Sequence, residues 1–138
     1  MPANFLNQLS LAHESLADAI GNLQPVLRSY HEAKPRLREL EKRLFLFFGK
    51  EDKAFFDALY EFFKEDRPST KMIDFLVHDL KELKISCLTF FDQHSGELAD
   101  MHARNFPKDF SIFADQIAGR IKIEQEHLFP LLAKTTEG

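Results

Sequence analysis

The sequence predicts an all-α fold, an antiparallel up-down four-helix bundle. Apolar residues recur every three or four positions along four separate segments, the connections between them are mostly short, and no period-two pattern competes. With 138 residues the chain fits a single domain, 1–138, and can bury roughly two thirds of its extended surface. None of the four segments would hold a helix in water without burying its apolar side.

The first segment reads from Asn4 to Leu23 or a little beyond, with Leu9, His13, Leu16, Ile20, Leu23 and Leu27 in line. Gly21 and Pro25 end or kink it. The second starts near Pro35, a residue suited to a first helical turn, and runs to about Lys64. Its stripe is Leu37, Leu40, Leu44, Phe47, Glu51, Phe55, Leu59 and Phe62. The tract KEDRPST (64–70) reads as a turn, with Ser69 or Thr70 capping the third segment. That segment passes through Ile73, Leu76, Leu80, Leu83, Cys87 and Phe90 to about His94, where Ser95 and Gly96 break it. Residues 97–108 read as irregular or briefly helical. Phe106-Pro107 leads into the fourth segment, which carries Phe110, Phe113, Ile117, Ile121, Glu124, Leu128 and Leu131 and ends near Lys134.

Composition narrows the function. The net charge is -4 and no long basic run occurs, so neither a nucleic acid nor an anionic membrane surface is expected as a partner. No apolar stretch approaches the ~18 residues that span a bilayer. The N-terminal residues lack the basic region and apolar block of a secretory signal. The single Cys87 allows no internal disulfide and fits a reducing cytosol, so a cytoplasmic location is expected. Fifteen phenylalanines without a tryptophan read first as a bulky core. Phe48, Phe56 and Phe63, just beside the second stripe, read alternatively as a homodimer face.

Two residues break the apolar stripes. Glu51 and Glu124 point the same way as their apolar neighbours, and a buried carboxylate without a partner costs several kcal/mol. Each must be paired, protonated or metal-bound. His13 falls on the inward side of the first segment and Asp79 flanks the third stripe, so each segment offers one polar group toward the axis. Bundles build metal sites from facing side chains in this way, and oxygen and nitrogen donors of this kind suit iron, manganese or zinc. His78 lies on the outer side, His94 lies several turns from Asp79, and His31 and His102 fall in or near connections. Glu124 and His127 form one Glu-x-x-His pair, where a ferritin-like di-iron site needs two. Cys87 reads as an inert buried thiol. No phosphate loop, nucleophile elbow or paired-histidine zinc motif occurs, and an enzyme is not expected.

Three passages resemble the hemerythrin-like, or HHE cation-binding, family. HESLADAIGNL (13–23) is similar to its first helix, LRELEKRLFLFFGKEDKAFFDAL (37–59) to its second, and FSIFADQIAGRIKIEQEHLFPLL (110–132) to its last. FLVHDLKEL (75–83) resembles the third helix more loosely. The resemblance implies a hemerythrin-like bundle holding non-haem iron, with His13, Glu51, Asp79 and Glu124 at ligand positions. Three positions depart from it. Phe47 and Arg120 stand where the second and fourth helices carry histidine, and Leu83 stands at a further histidine position of the third. Neither a hydrocarbon side chain nor a guanidinium ligates a metal.

Two functions stay open on these residues. In one the metal is lost and Arg120 pairs with Glu124, Glu51 or Asp79 in its stead, leaving a regulatory or interaction module for a protein partner or small ligand. In the other His13, Glu51, Asp79 and Glu124 hold a single ion for iron, oxygen or redox sensing. An anti-sigma-type regulator on a similar bundle would rest on fold analogy alone.

Overall fold

A computed structural model describes residues 4–96 and 99–137. All elements among them are helical, and four helical segments, two of them interrupted, gather around one core as a helical bundle.

The first segment is α1 (Phe5–Leu23), followed by a short 3₁₀ turn at Gln24–Val26. Pro25 sits in the first turn of that 3₁₀ element, where its missing N–H costs nothing. The second segment departs from the sequence expectation at two places. Helix α2 (Tyr30–Lys50) begins well before Pro35, which lies inside it. Tertiary anchoring explains the early start. The Tyr30 hydroxyl donates to the His94 carbonyl, and its ring meets the Phe106 edge 5.4 Å away. The helix then stops at Glu51 and restarts as α3 (Lys53–Phe62). Asp52 causes the restart: its backbone is extended, and its carboxylate accepts the Phe55 N–H at 2.9 Å, an N-cap inside the expected helix. The break also shifts the register, so Phe63 is buried where Phe62 was expected and Phe62 is 49% exposed.

The third segment, α4 (Arg67–Ser95), starts earlier than the Ser69 or Thr70 expected as its cap. Pro68 occupies its first turn, and the Ser69 hydroxyl donates to Asp66 at 2.7 Å. It ends at Gly96, where a Cβ would lie 2.6 Å from the Asp92 carbonyl oxygen, so only glycine fits. Of the stretch read as irregular, residues 97 and 98 lie outside the described residues, and Ala99–Asn105 form a 3₁₀ turn. The fourth segment is α5 (Phe106–Ile123), a π-helical stretch at Glu124–Leu128, and α6 (Phe129–Glu137). Pro130 has no N–H for the Glu126 carbonyl, and its ring crowds the preceding turn. A widened π turn relieves both.

Helix α1 packs mainly on α2, and α4 mainly on α5. Ten of the fifteen phenylalanines enter the core, which settles the composition bias as packing. Each such ring contributes ~1.5–3 kcal/mol. Phe48, Phe56 and Phe63 are among them, at 9%, 6% and 5% exposure, which corrects their reading as a homodimer face: they flank the core and pack into it. Leu9, Leu16, Leu23, Leu37, Leu40 and Leu44 are fully buried along α1 and α2, as their spacing requires. No helix among the described residues is long and apolar enough to cross a membrane.

Candidate functional site

Four helical segments each bring a polar group to one level of the core. His13 comes from α1, Glu51 from the α2–α3 break, Asp79 from α4, and Arg120 and Glu124 from either side of the junction between α5 and the π stretch. Two of these places are irregular backbone. Glu51 is the C-cap of α2, with φ -103° and ψ 56°, and Glu124 opens the π stretch. Such departures from the α-helix recur where side chains must be aimed at one another.

Arg120 is the hub. It is 2% exposed. Its Nε donates to Glu124 Oε2 at 2.8 Å, and its Nη2 donates to Glu51 Oε1 at 2.9 Å. Nη1 donates to Asp79 Oδ2 at 3.0 Å and to the Leu76 carbonyl at 2.9 Å. A planar fork of donors suits three carboxylates arriving from three directions, which a lysine ammonium could not serve equally. The other Glu124 oxygen, Oε1, lies 2.6 Å from His13 Nε2. The His13 ring stacks on Phe129 at 5.2 Å and tilts against Phe47 at 5.8 Å.

Protonation follows from burial. Desolvation, opposed by Glu51 and assisted by Arg120, pulls the His13 pKa below its ordinary value. The ring is therefore neutral at pH 7 and donates its Nε2 hydrogen to Glu124. Burial also lifts both buried glutamates. Glu51 is pushed well above the carboxylate range by desolvation, then by its hydrogen bond and charge repulsion with Glu124, with Arg120 opposing. Glu124 rises less, because the hydrogen bond from Glu51 and the Arg120 charge offset its desolvation. The two acids titrate as a pair, which burial makes harder to ionise fully than free carboxylates. Glu51 Oε2 is buried without a hydrogen-bond partner.

Arg120 thus meets three acids, of which Glu51 and Glu124 are fully buried and Asp79, 31% exposed, reaches solvent. A cleft of about 250 Å³ between α4 and α5, lined by Asp79, Glu82, Ser86, Gln116, Gly119 and Arg120 among others, leads to this edge of the cluster.

The remaining candidates lie elsewhere. His78 is exposed. His127 is 39% exposed, beside Glu126 and edge-on to Phe75, so it does not join Glu124 in the core. The π stretch between the two residues turns them apart. Cys87 is buried between α2 and α4, with its thiol pushed up to about 12 by desolvation, and it takes no part in the cluster. Leu83 lines the cleft and contributes no polar atom. His94 belongs to a separate contact, 2.9 Å from Asp109, which ties the end of α4 to the start of α5. The sequence spacing did not reveal Asp109 or Tyr30 as its partners, nor the Leu76 carbonyl as an acceptor for Arg120, because each depends on how segments meet.

Among the described residues no group of three or more His, Cys, Asp or Glu side chains is gathered so as to hold a metal ion. The acids are turned toward the guanidinium instead. Compared with protein-family models, curated proteins and solved structures, the chain matches none.

Proposed function

We propose that the chain is a single-domain, antiparallel up-down bundle of hemerythrin-like type in which Arg120 stands in place of the ion. It acts as a non-catalytic regulatory or interaction module in the cytoplasm. The observation that carries this reading is the set of bonds from one guanidinium to acids on three helical segments. A resident cation fits poorly among these residues. It would meet a fixed positive charge, and it would have to displace at least two charge-assisted hydrogen bonds. Phe47, against His13, fills space next to the cluster with hydrocarbon. The lone thiol is buried and poorly ionised, which supports a role other than catalysis.

A second reading, a single iron or similar ion held by His13, Glu51, Asp79 and Glu124 for iron, oxygen or redox sensing, draws on one observation. His13 Nδ1 and Glu51 Oε2 are buried and keep lone pairs without a protein partner. The two readings separate in metal analysis of protein purified without chelator or metal-affinity resin, followed by melting with added iron, manganese or zinc. The Arg120 reading expects no stoichiometric metal and an unchanged Tm. A bound ion at one per chain, with Tm rising with metal concentration, establishes the second reading instead.

A further inference from the structure

Lys84 is the one charged residue among those lining the cleft between α2 and α4. The floor of this cleft is Leu44, Phe48, Cys87 and Phe91, and its volume is about 180 Å³. Phe45, 52% exposed, and Leu88, 61% exposed, stand at the rim.

Size and lining define a guest. A cavity of roughly 150 Å³ walled by such side chains accepts a benzene ring. The α2–α4 cleft therefore has room for one ring and little more. Three of its lining residues are phenylalanines, which favour an aromatic guest through offset or edge-to-face contacts. Such a guest would cover hydrocarbon on Phe45 and Leu88 that otherwise faces water.

The Lys84 ammonium sets the charge of that guest. It lies 5.6 Å over the Phe48 ring, on a half-buried side chain, and is in no ion pair among the described residues. A lysine stem laid along apolar surface keeps its head at the boundary with water. The ring face occupies one side of that head, and its three donors leave others for a ligand. A carboxylate placed there gains a charge-assisted hydrogen bond beside hydrocarbon, where water screens it less. No acid competes from within the cleft. Glu82, two residues before Lys84, lines the α4–α5 cleft instead, and Glu41, one turn before Phe45, is not among the lining residues. The chain as a whole carries a net charge of -4 and does not draw anions, so an anion held here is held by this site.

We infer that the α2–α4 cleft binds a small aromatic monocarboxylate, with its ring against Leu44, Phe48 and Phe91 and its carboxylate on the Lys84 ammonium. The lining shares no residue with the Arg120 cluster, so the inference stands whether Arg120 or a cation occupies the core.

Phenylacetate is the probe, titrated into the full chain and followed by calorimetry and by methyl NMR of Leu44 and Leu88. It should saturate at one per chain with a Kd at or below about 1 mM. Phenylacetamide, the same body without the charge, should bind at least about tenfold more weakly. Lys84→Met keeps an apolar stem and removes the ammonium. It should weaken phenylacetate about tenfold and leave phenylacetamide as it was, which also shows the cleft intact. Leu88→Asp, at an exposed position, should keep the helical circular dichroism and abolish phenylacetate binding. No saturable binding of phenylacetate up to about 10 mM overturns the inference. So does an acid that binds no better than its amide, or one indifferent to Lys84→Met or to Leu88→Asp.

Discussion

Arg120 Nε lies 2.8 Å from Glu124 Oε2, and the two residues straddle the point where α5 gives way to a π turn. The pair is one helical turn apart, so it closes without help from the rest of the fold. What the fold supplies is the remainder: Glu51 across the core at 2.9 Å, Asp79 at the solvent edge, and His13 on the far oxygen of Glu124. One guanidinium thus decides how three acids are tolerated.

The raised pKa of Glu51 gives a pH dependence with a definite sign. Glu51 has a raised pKa in the folded chain, so it binds a proton more tightly folded than unfolded. Its contribution to stability is fully present below the unfolded value of 4.5 and is lost as pH rises through the folded value. Glu51→Gln keeps an acceptor for Arg120 but cannot ionise. Urea unfolding from pH 5 to 9 should show the variant gaining on the wild type as pH rises. A difference that is flat across this range would mean that folding does not raise the Glu51 pKa.

His13 contributes in the opposite direction. Its pKa is lowered by burial, so the stability it confers is present above the unfolded value of 6.5 and lost as pH falls through the folded value. His13→Gln retains a donor for Glu124 without a titrating ring. The acid limb of the stability profile below pH 6.5 should become shallower in this variant, as read by Tm against pH. An unchanged acid limb would mean that the ring is charged in the folded chain.

Arg120 and Phe47 stand at two of the three positions where this chain departs from a histidine of the resemblance. If the bundle is of that type, Phe47→His with Arg120→His should create a metal site. Without metal the double variant should be less stable than the wild type. With manganese or zinc at about 100 times Kd it should regain ~2.7 kcal/mol. A double variant that folds yet takes up no metal would argue against the resemblance.

The internal cap at Asp52 positions Glu51. Asp52→Ala loses the bond to the Phe55 N–H and should cost ~1 kcal/mol in urea unfolding. Asp52→Asn should recover most of that. An Ala variant as stable as the wild type would mean that the α2–α3 break is held by packing alone.

The stripes were legible because a period of three to four fixes which side of a helix is buried. Leu9, His13 and Leu16 on α1, and Ile73 through His94 on α4, all lie where that period puts them. Glu51 and Glu124 stood out for the same reason, as acids on buried sides. Periodicity does not register an interruption that preserves the stripe. The Asp52 cap restarts the helix with Phe55 still inward, and only Phe62 and Phe63 show the change of register. The π stretch was hidden likewise, although Pro130 signals it by its missing N–H. Partners far apart in sequence, such as His94 with Asp109, carry no periodic signature at all.

The most direct measurement is the stability of Arg120→Leu by urea unfolding at pH 7. Removing the guanidinium leaves Glu51, Glu124 and Asp79 without a counter-charge, and the variant should lose ~3–5 kcal/mol. Adding Glu51→Gln to it should return part of that loss. An Arg120→Leu chain that unfolds at the wild-type urea concentration would contradict the claim that this side chain neutralises the core.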